Sequence, residues 1–145
     1  MNYLFLSVLC LLGFYWPDSA QTENNVVSIN ISQIRSSSGV IKVQVFTDEA
    51  SFKKSKPFKN IAVSKDHINK GSLSAKIQLP NGTYGIAILD DENNNGKMDY
   101  GLMMPKEGFG FSNYYLTGMK RPVFDDFKFS LNNANVSVII KTRYL

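Results

Sequence analysis

A run of acidic and amide side chains between positions 90 and 99 has the spacing of a loop that binds a hard cation. The segment reads Asp90-Asp91-Glu92-Asn93-Asn94-Asn95-Gly96-Lys97-Met98-Asp99. Counted from the second aspartate, side-chain oxygens fall at positions one, three, five and nine, glycine stands at six, and a main-chain carbonyl is available at seven. Calcium takes about six to eight oxygen ligands, and glycine at six permits the sharp turn that closes such a loop. The expected metal ligands are Asp91, Asn93, Asn95, the carbonyl of Lys97, Asp99 and Glu107.

The match to an EF-hand loop is incomplete. Leu102 stands at position twelve, where an EF-hand has a bidentate glutamate, and no helix is expected on either side. The missing ligands would be Asp90, Glu107 or water, and two carboxylates with two amides predict weak affinity, on the order of 0.1 to 1 mM. The alternative is a polar Asn-Gly turn whose side chains cap their own backbone amides. Both interpretations stay open at the level of sequence.

An aromatic segment just beyond this loop is the second candidate site. Glycines at 108 and 110 allow close backbone approach, and the rings between them and after them offer flat apolar faces. One interpretation is an exposed platform for a sugar or a peptide, and the other is a bulged loop whose rings cover one end of the fold. The platform predicts exposed rings, whereas the structural loop predicts that the rings, Tyr115 included, are buried. The candidate ligand-binding residues are Phe109, Phe111, Asn113 and Tyr114.

Catalytic groups are scarce, so we expect no enzyme. The single histidine, His67, stands in a lysine-rich stretch without a serine or cysteine motif nearby, and we interpret it as a surface residue. Asp90 with Glu107 or Asp99 could imitate the carboxylate pair of a glycosidase, but cation ligands or turn caps explain these carboxylates better. A glycan-acting enzyme is therefore the least favoured alternative.

The start of the chain predicts export. The stretch from Leu4 to Phe14 is almost wholly apolar, shorter than the ~20 residues that cross a bilayer, and Ala20 supplies a small residue for cleavage. We expect a signal peptide over residues 1–20 and one domain over 21–145, with a secreted or periplasmic location and no stable membrane span after processing. The only cysteine, Cys10, follows Leu9 rather than a small residue, which argues against a lipid anchor.

The charge pattern constrains the partners. The formal net charge is +4, and the lysines are spread over residues 53–70 without arginine clusters or the aromatic strand motif of nucleic-acid readers. We interpret this stretch as a solvated loop and expect no nucleic-acid partner, while an envelope glycan or protein remains a candidate. The sequence makes no prediction of the oligomeric state.

Alternating apolar residues predict an all-β fold. Strands are expected over 26–34, 40–46, 73–79, 84–89, 124–131 and 136–141, with the first two forming a hairpin. Residues 48–70 read as a long connection with one helical turn over 50–53. The expected fold is a single antiparallel β-sandwich of about seven strands, transthyretin-like or immunoglobulin-like. Its inward residues are expected to be Val27, Ile29, Val43, Val45, Ile77, Leu79, Ile86, Ile88, Phe127, Phe129, Val138 and Ile140.

Three linked motifs resemble a known family. Residues 79–87 read LPNGTYGIA, residues 90–99 read DDENNNGKMD, and residues 105–113 read PKEGFGFSN. In this order they resemble the bacterial exported family DUF2141, from about Ile29 to Leu145; Met103-Met104 departs from the family's more usual glycine and branched residue. The resemblance implies a small secreted or periplasmic domain with a transthyretin-like sandwich, and it supplies no catalytic residues. The strand-turn-strand stretch ending in Tyr84 is also similar to carboxypeptidase-regulatory and collagen-adhesin B-type sandwiches, which supports the architecture alone.

Together these patterns predict a non-catalytic module with an accessory binding role at the cell envelope and a loop stabilised by weakly bound Ca²⁺. The alternative is a purely structural envelope domain without a ligand of its own.

Overall fold

The computed structural model describes residues 24–145. The predicted signal peptide over 1–20 and Cys10 lie outside the described residues. Within residues 24–145, no helix is long and apolar enough to cross a membrane.

Strands dominate the described part of the chain. Two short helical turns, α1 (Glu49–Lys53) and α2 (Phe124–Phe127), interrupt them. The strands are β1 (Asn24–Ser32), β2 (Val40–Phe46), β3 (Lys59–Ser64), β4 (Leu73–Pro80), β5 (Gly82–Asp91), β6 (Tyr100–Gly101), β7 (Met104–Pro105), β8 (Gly108–Phe111), β9 (Lys128–Leu131) and β10 (Val136–Lys141). The all-β class expected from the alternating pattern is confirmed.

The strands form three sheets. One has the order β10-β1-β4, and a second has the order β3-β2-β5-β8, with β9 pairing the first half of β5 and β8 the second half. The strands β6 and β7 form a separate two-residue hairpin. Because β2 and β5 run antiparallel, the end of β5 meets the start of β2, which brings residues 39–40 beside residues 90–91.

Both larger sheets contribute to one hydrophobic core. Alternate residues of β1, β4 and β10 meet alternate residues of β2, β5 and β9 in a single buried cluster. All twelve residues expected to point inward are buried. Each fully buried aliphatic side chain contributes roughly 1.5 to 3 kcal/mol, so this core is the main source of stability.

A second, aromatic cluster covers part of the face of the five-stranded sheet that is turned away from this core. The ring of Phe52 on α1 lies 5.3 Å from Phe46, 4.9 Å from Phe127 and 6.1 Å from Phe111, in edge-to-face arrangements. Such geometry suits the charge distribution of aromatic rings. The helical turn expected over 50–53 is confirmed, and Phe52 is the reason that it packs here.

Several details of the expected topology are wrong. β1 and β2 do not form a hairpin, because the chain between them crosses from one sheet to the other. The three-stranded sheet is not purely antiparallel either, since β1 pairs β10 in parallel. No short turn joins these two strands, so turn geometry does not dictate their relative direction.

Two segments have a different secondary structure from the expected one. The lysine-rich stretch contains β3, whose apolar Ile61 and Val63 are only half-buried at the edge of the sheet. The first half of the strand expected over 124–131 is α2, because the Asp126 carboxylate accepts from the Val123 N–H at 2.9 Å and Phe124 and Phe127 bury the same side.

Candidate functional site

The loop over residues 90–99 begins from a buried anchor at the end of β5. Asp91 is fully buried, and its two carboxylate oxygens accept from the backbone N–H groups of Asn95 at 3.0 Å and Gly96 at 2.8 Å. Gly96 has a positive φ of 85°, a conformation that glycine adopts without strain. The glycine at position six therefore turns the chain back over the aspartate at position one.

The other expected ligands gather around the same turn. The Asp99 carboxylate accepts from the side-chain amide of Asn93 at 2.6 Å and from that of Asn95 at 2.9 Å. Glu107, also buried, accepts from the backbone N–H groups of Glu92 and Asp99, each at 3.1 Å. The Lys97 N–H donates to the Asn95 side-chain oxygen at 3.0 Å. The structure thus gathers the six predicted residues in one hydrogen-bonded segment.

In this arrangement the carboxylate and amide oxygens of the loop already accept hydrogen bonds from N–H groups of the protein. Among residues 24–145, no three Asp, Glu, His or Cys side chains are arranged so that they could hold a metal ion. The carboxamide oxygens of Asn93 and Asn95 both accept from backbone N–H groups, and their NH₂ groups face Asp99. An ion bound at Asp99 would require these two amides to turn. The calcium site therefore remains a prediction.

The turn before β2 packs directly against the backbone of the loop over residues 90–99. Gly39 has a φ of 71°, and a Cβ added to it would lie 1.9 Å from the carbonyl oxygen of Asp91. No residue with a side chain fits there without moving the backbone. The position of Asp91 therefore depends on contacts outside its own segment.

A fully buried charge network lies beneath the loop, and sequence reasoning missed it. Lys65 is paired with Asp90, and both side chains are at most 1% exposed. The ammonium also donates to the carbonyl oxygens of Ser36 and Ser38, while the Tyr144 hydroxyl donates to the second Asp90 oxygen. Burial, followed by this hydrogen bond, raises the pKa of Tyr144 well above its usual range.

The buried network changes the interpretation of two residues, Lys65 and Asp90. Lys65 does not belong to a solvated loop, since it is 2% exposed. Asp90 already has Lys65 and Tyr144 as partners, so it is a poor source of the missing calcium ligand. The only signal in the sequence was the placement of Asp90 after the apolar run of β5, which predicts burial and therefore a partner.

An exposed ion pair borders the network. The Arg35 guanidinium donates to both oxygens of Glu92, at 3.0 and 2.6 Å, and lies 4.3 Å from the centre of the Tyr144 ring. The hydrogen bond from Arg35 lowers the pKa of Glu92 below its usual value. A surface pocket of about 490 Å³ opens between this pair and the loop, with Lys106 and Asp99 on its walls. The pocket has charged side chains of both signs on its walls.

The aromatic segment gives a mixed result. Phe111 is buried in the aromatic cluster, and Phe109 and Tyr114 pack against that cluster. Tyr115 is 46% exposed and lines a pocket of about 360 Å³ together with Asn113 and Tyr114. Phe111 is therefore not exposed, as the platform requires, and Tyr115 is not buried, as the structural loop requires.

The backbone of this segment joins the two larger sheets. Phe109 and Arg143 exchange N–H···O bonds of 3.0 and 2.7 Å, and Asn113 bonds the main chain of Ile139 in both directions. A Cβ at Gly110 would lie 2.6 Å from the Ile140 side chain, so the glycine permits this close approach. Asn113, expected as a ligand contact, uses its side-chain oxygen to accept from the Ile139 N–H within β10.

His67 is exposed, as its neighbourhood in the sequence predicts. Neither of the two pockets includes it. No described feature assigns it a chemical role.

Comparison with known proteins gives one match. The family described as an uncharacterized protein conserved in bacteria, DUF2141, matches residues 29–139. No curated protein and no solved structure matches the chain. The matched range contains the loop over 90–99, the aromatic segment and both residues of the buried pair, Lys65 and Asp90. The chain therefore belongs to the DUF2141 family.

Proposed function

We propose that this chain is a secreted or periplasmic, non-catalytic β-sandwich domain with an accessory binding role at the cell envelope, in which calcium stabilises the loop over residues 90–99. The observation that carries the proposal is the gathering of Asp91, Asn93, Asn95, Asp99 and Glu107 around one turn. All five offer hard oxygen atoms, the ligand type that calcium prefers.

The order already present in the loop favours an ion. Asp91 and Glu107 are held by backbone N–H groups, so two carboxylates are fixed before any ligand arrives. Only the amides of Asn93 and Asn95 need to rotate, which costs little because both side chains are exposed. A loop of two fixed carboxylates and adjustable amides is suited to the weak affinity of extracellular calcium modules.

The sandwich architecture is supported by the shared core. A three-stranded and a five-stranded sheet bury their alternate residues against each other, as the two layers of a transthyretin-like or immunoglobulin-like sandwich do. Calcium at one end of such a fold would stiffen the turns that connect the layers.

Thermal unfolding of the protein in calcium, magnesium and chelator tests the calcium site. An ion that binds only the folded state stabilises it by RT ln(1 + [L]/Kd). With a Kd of roughly 0.1 mM, about 10 mM calcium adds about 2.7 kcal/mol, a rise in Tm of roughly 10 °C. Magnesium should do much less, because it demands a small octahedral shell.

Matched variants separate ligation from general charge effects. Asp99→Asn should abolish the calcium shift, whereas Asp66→Asn, an identical charge change at an exposed residue outside the loop, should leave it intact. The wild-type fold is preserved in both if their melting points in chelator stay within a few degrees. Equal melting curves in calcium, magnesium and chelator would reject the calcium site.

Export has its own test. The full-length chain, expressed in a Gram-negative host, should be shortened and recovered outside the cytoplasm, because the apolar stretch from Leu4 to Phe14 has the length of a signal sequence. Intact mass and cell fractionation measure this. Uncleaved protein retained in the inner membrane would contradict it.

The second candidate is a structural envelope domain without a ligand. The burial of Phe111 and the bonds from the Asn93 and Asn95 amides to the Asp99 carboxylate favour it. The melting experiment distinguishes the two functions, since a structural domain shows no calcium shift.

A further inference from the structure

The outer face of the three-stranded sheet β10-β1-β4 is polar and open. Along each strand, buried aliphatic residues alternate with residues that point away from the core. At the centre of this face, Asn30 lies opposite Ser74 on one side and Ile139 on the other. Within residues 24–145 no further layer covers the face, since most of its outward side chains are exposed. The polar ones include Ser28, Asn30, Ser74, Lys76, Gln78 and Ser137.

Hydroxyl and amide groups form a continuous row across the three strands. The Ser74 hydroxyl donates to the Asn30 side-chain oxygen at 2.9 Å, and the Asn30 amide donates to the Ser137 hydroxyl at 3.0 Å. Because Ser137 accepts in this row, its own O–H is available to donate to a ligand. Groups that both donate and accept suit a ligand that itself carries many hydroxyls.

The face carries positive charge and no negative charge. None of the residues of β1, β4 and β10 is acidic, and the acidic residues of the described chain lie at 48–49, 66 and 125–126 and between positions 90 and 107. Lys76 on β4 and Lys141 on β10 are exposed on this face. A third ammonium, that of Lys59, lies at the open edge of β4, 3.2 Å from the carbonyl oxygen of Gln78. Within residues 24–145 none of these three lysines has a carboxylate within 4.0 Å.

The pairing register fixes the spacing of the two lysines on the face. Lys76 lies opposite Ser28 of β1, and Lys141 lies opposite Ser32 of the same strand, four residues further on. Four residues along a strand and two strand spacings place the two Cα atoms roughly 16 Å apart. This separation suits a chain with repeated anionic groups better than a single small anion.

A tyrosine stands at one end of the face. Ile139 and Lys141 also form walls of the surface pocket that Tyr114 and Tyr115 line. The Tyr115 side chain is 46% exposed there. An exposed aromatic ring beside hydrogen-bonding groups can pack on the apolar side of a sugar ring. The pocket and the sheet face therefore form one continuous surface.

We propose that this surface binds an acidic polysaccharide, a chain of sugars that carry carboxylates. The row centred on Asn30 pairs with sugar hydroxyls, and Tyr115 packs on one sugar ring. Lys76 and Lys141 pair with the carboxylates. A nucleic acid fits less well, because phosphate binding draws its affinity from many lysines and arginines, and this face has few. The inference deepens the proposed accessory binding role and rests on it, since it names the class of envelope glycan, but it does not depend on calcium.

Calorimetric titration in chelator tests the binding. It is run in about 0.1 M salt, where charges more than about 10 Å apart are largely screened. The probes are a hexamer of galacturonic acid, the same hexamer as its methyl ester, and a hexamer of thymidylate. The wild type should bind the acidic hexamer at least about fivefold more strongly than its ester, since each exposed ion pair contributes up to about fivefold.

Two sets of variants separate charge from ring packing. Lys76→Gln with Lys141→Gln should weaken binding of the acidic hexamer by about fivefold or more and leave binding of the ester unchanged. Tyr115→Ala should weaken the binding of both by similar factors, roughly fivefold, because ring packing does not depend on the charge of the sugar.

The matched control removes two lysines elsewhere. Lys53 at the end of α1 and Lys128 at the start of β9 each lie within 4.0 Å of a carboxylate, those of Glu49 and Asp125. Lys53→Gln with Lys128→Gln makes the same change in net charge, and it should leave the affinity for the acidic hexamer within about twofold of the wild type. Circular dichroism and melting in chelator show whether each variant is folded.

Three results would overturn the proposal. They are no binding of the acidic hexamer, equal loss of affinity in the two double-lysine variants, and thymidylate binding as tight as that of the acidic hexamer. The last would assign the face to a phosphate polymer instead. Because calcium is absent from the titration, its failure and the failure of the calcium shift are separate results.

Discussion

Removal of the Lys65 ammonium should destabilise the fold far more than removal of any exposed lysine. The Lys65→Met variant keeps the length and much of the volume of the side chain but leaves Asp90 as a buried carboxylate whose remaining partner is the Tyr144 hydroxyl. Two carbonyl oxygens, those of Ser36 and Ser38, lose their donor as well.

The size of the effect follows from burial. Breaking a buried ion pair by removing one partner costs about 3 to 5 kcal/mol, because the remaining charge is uncompensated. At roughly 4 °C per kcal/mol for a chain of this size, Tm should fall by about 12 to 20 °C. Lys76→Met, at an exposed position on β4, should change stability by less than about 0.5 kcal/mol.

A second substitution tests whether the unpaired charge of Asp90 causes the destabilisation. Adding Asp90→Asn to Lys65→Met removes the unpaired charge while the amide oxygen still accepts from Tyr144, so the double variant should be at least about 1 kcal/mol more stable than Lys65→Met. Urea unfolding followed by circular dichroism measures all three variants. The reasoning is refuted if Lys65→Met is as mild as Lys76→Met, or if Asp90→Asn lowers stability further in the Lys65→Met background.

Two further predictions concern polar groups near the same end of the fold. The Thr142 hydroxyl is buried and has no partner among residues 24–145, so Thr142→Val, which keeps the shape, should raise the free energy of unfolding by about 1 kcal/mol; a loss measured by urea unfolding would contradict this. Arg35 lowers the pKa of Glu92, so the pair stabilises the fold above the usual pKa of 4.5, and this contribution disappears as the pH falls through the lowered value. Because Arg35 is half-exposed and screened, Glu92→Gln should cost at most about 1 kcal/mol at neutral pH and nothing in acid; an equal cost in acid would argue against the pairing.

The alternation of apolar residues predicted those strands that bury one face. Val27, Ile29 and Ile31 alternate because one face of β1 is buried, and the same period identified β2 and β4. The strand β3 escaped prediction because an edge strand needs little apolar surface, and Ile61 and Val63 are its only half-buried aliphatic residues with large side chains.

The candidate site was predicted as far as its residues are close in sequence. Asp91, Asn95 and Gly96 lie within one turn, so their spacing alone predicted that the chain closes on itself. The contributions of Gly39 and Lys65 could not be predicted, because each depends on which strand lies beside β5 in three dimensions. A glycine in a serine-rich turn and a lysine among lysines carry no local sign of burial.

The parallel pairing of β1 with β10 has a consequence for the order in which the chain can fold. β1 is the central strand of its sheet, and one of its two neighbours is made of residues 136–141, nearly at the end of the chain. A pairing that spans more than a hundred residues pays its loop-closure entropy late and forms slowly. During synthesis one edge of β1 therefore stays unpaired until residues 136–141 have been made. Under the proposed export, in which the chain crosses a membrane before it folds, this late pairing leaves the sheet incomplete until residues 136–141 have crossed.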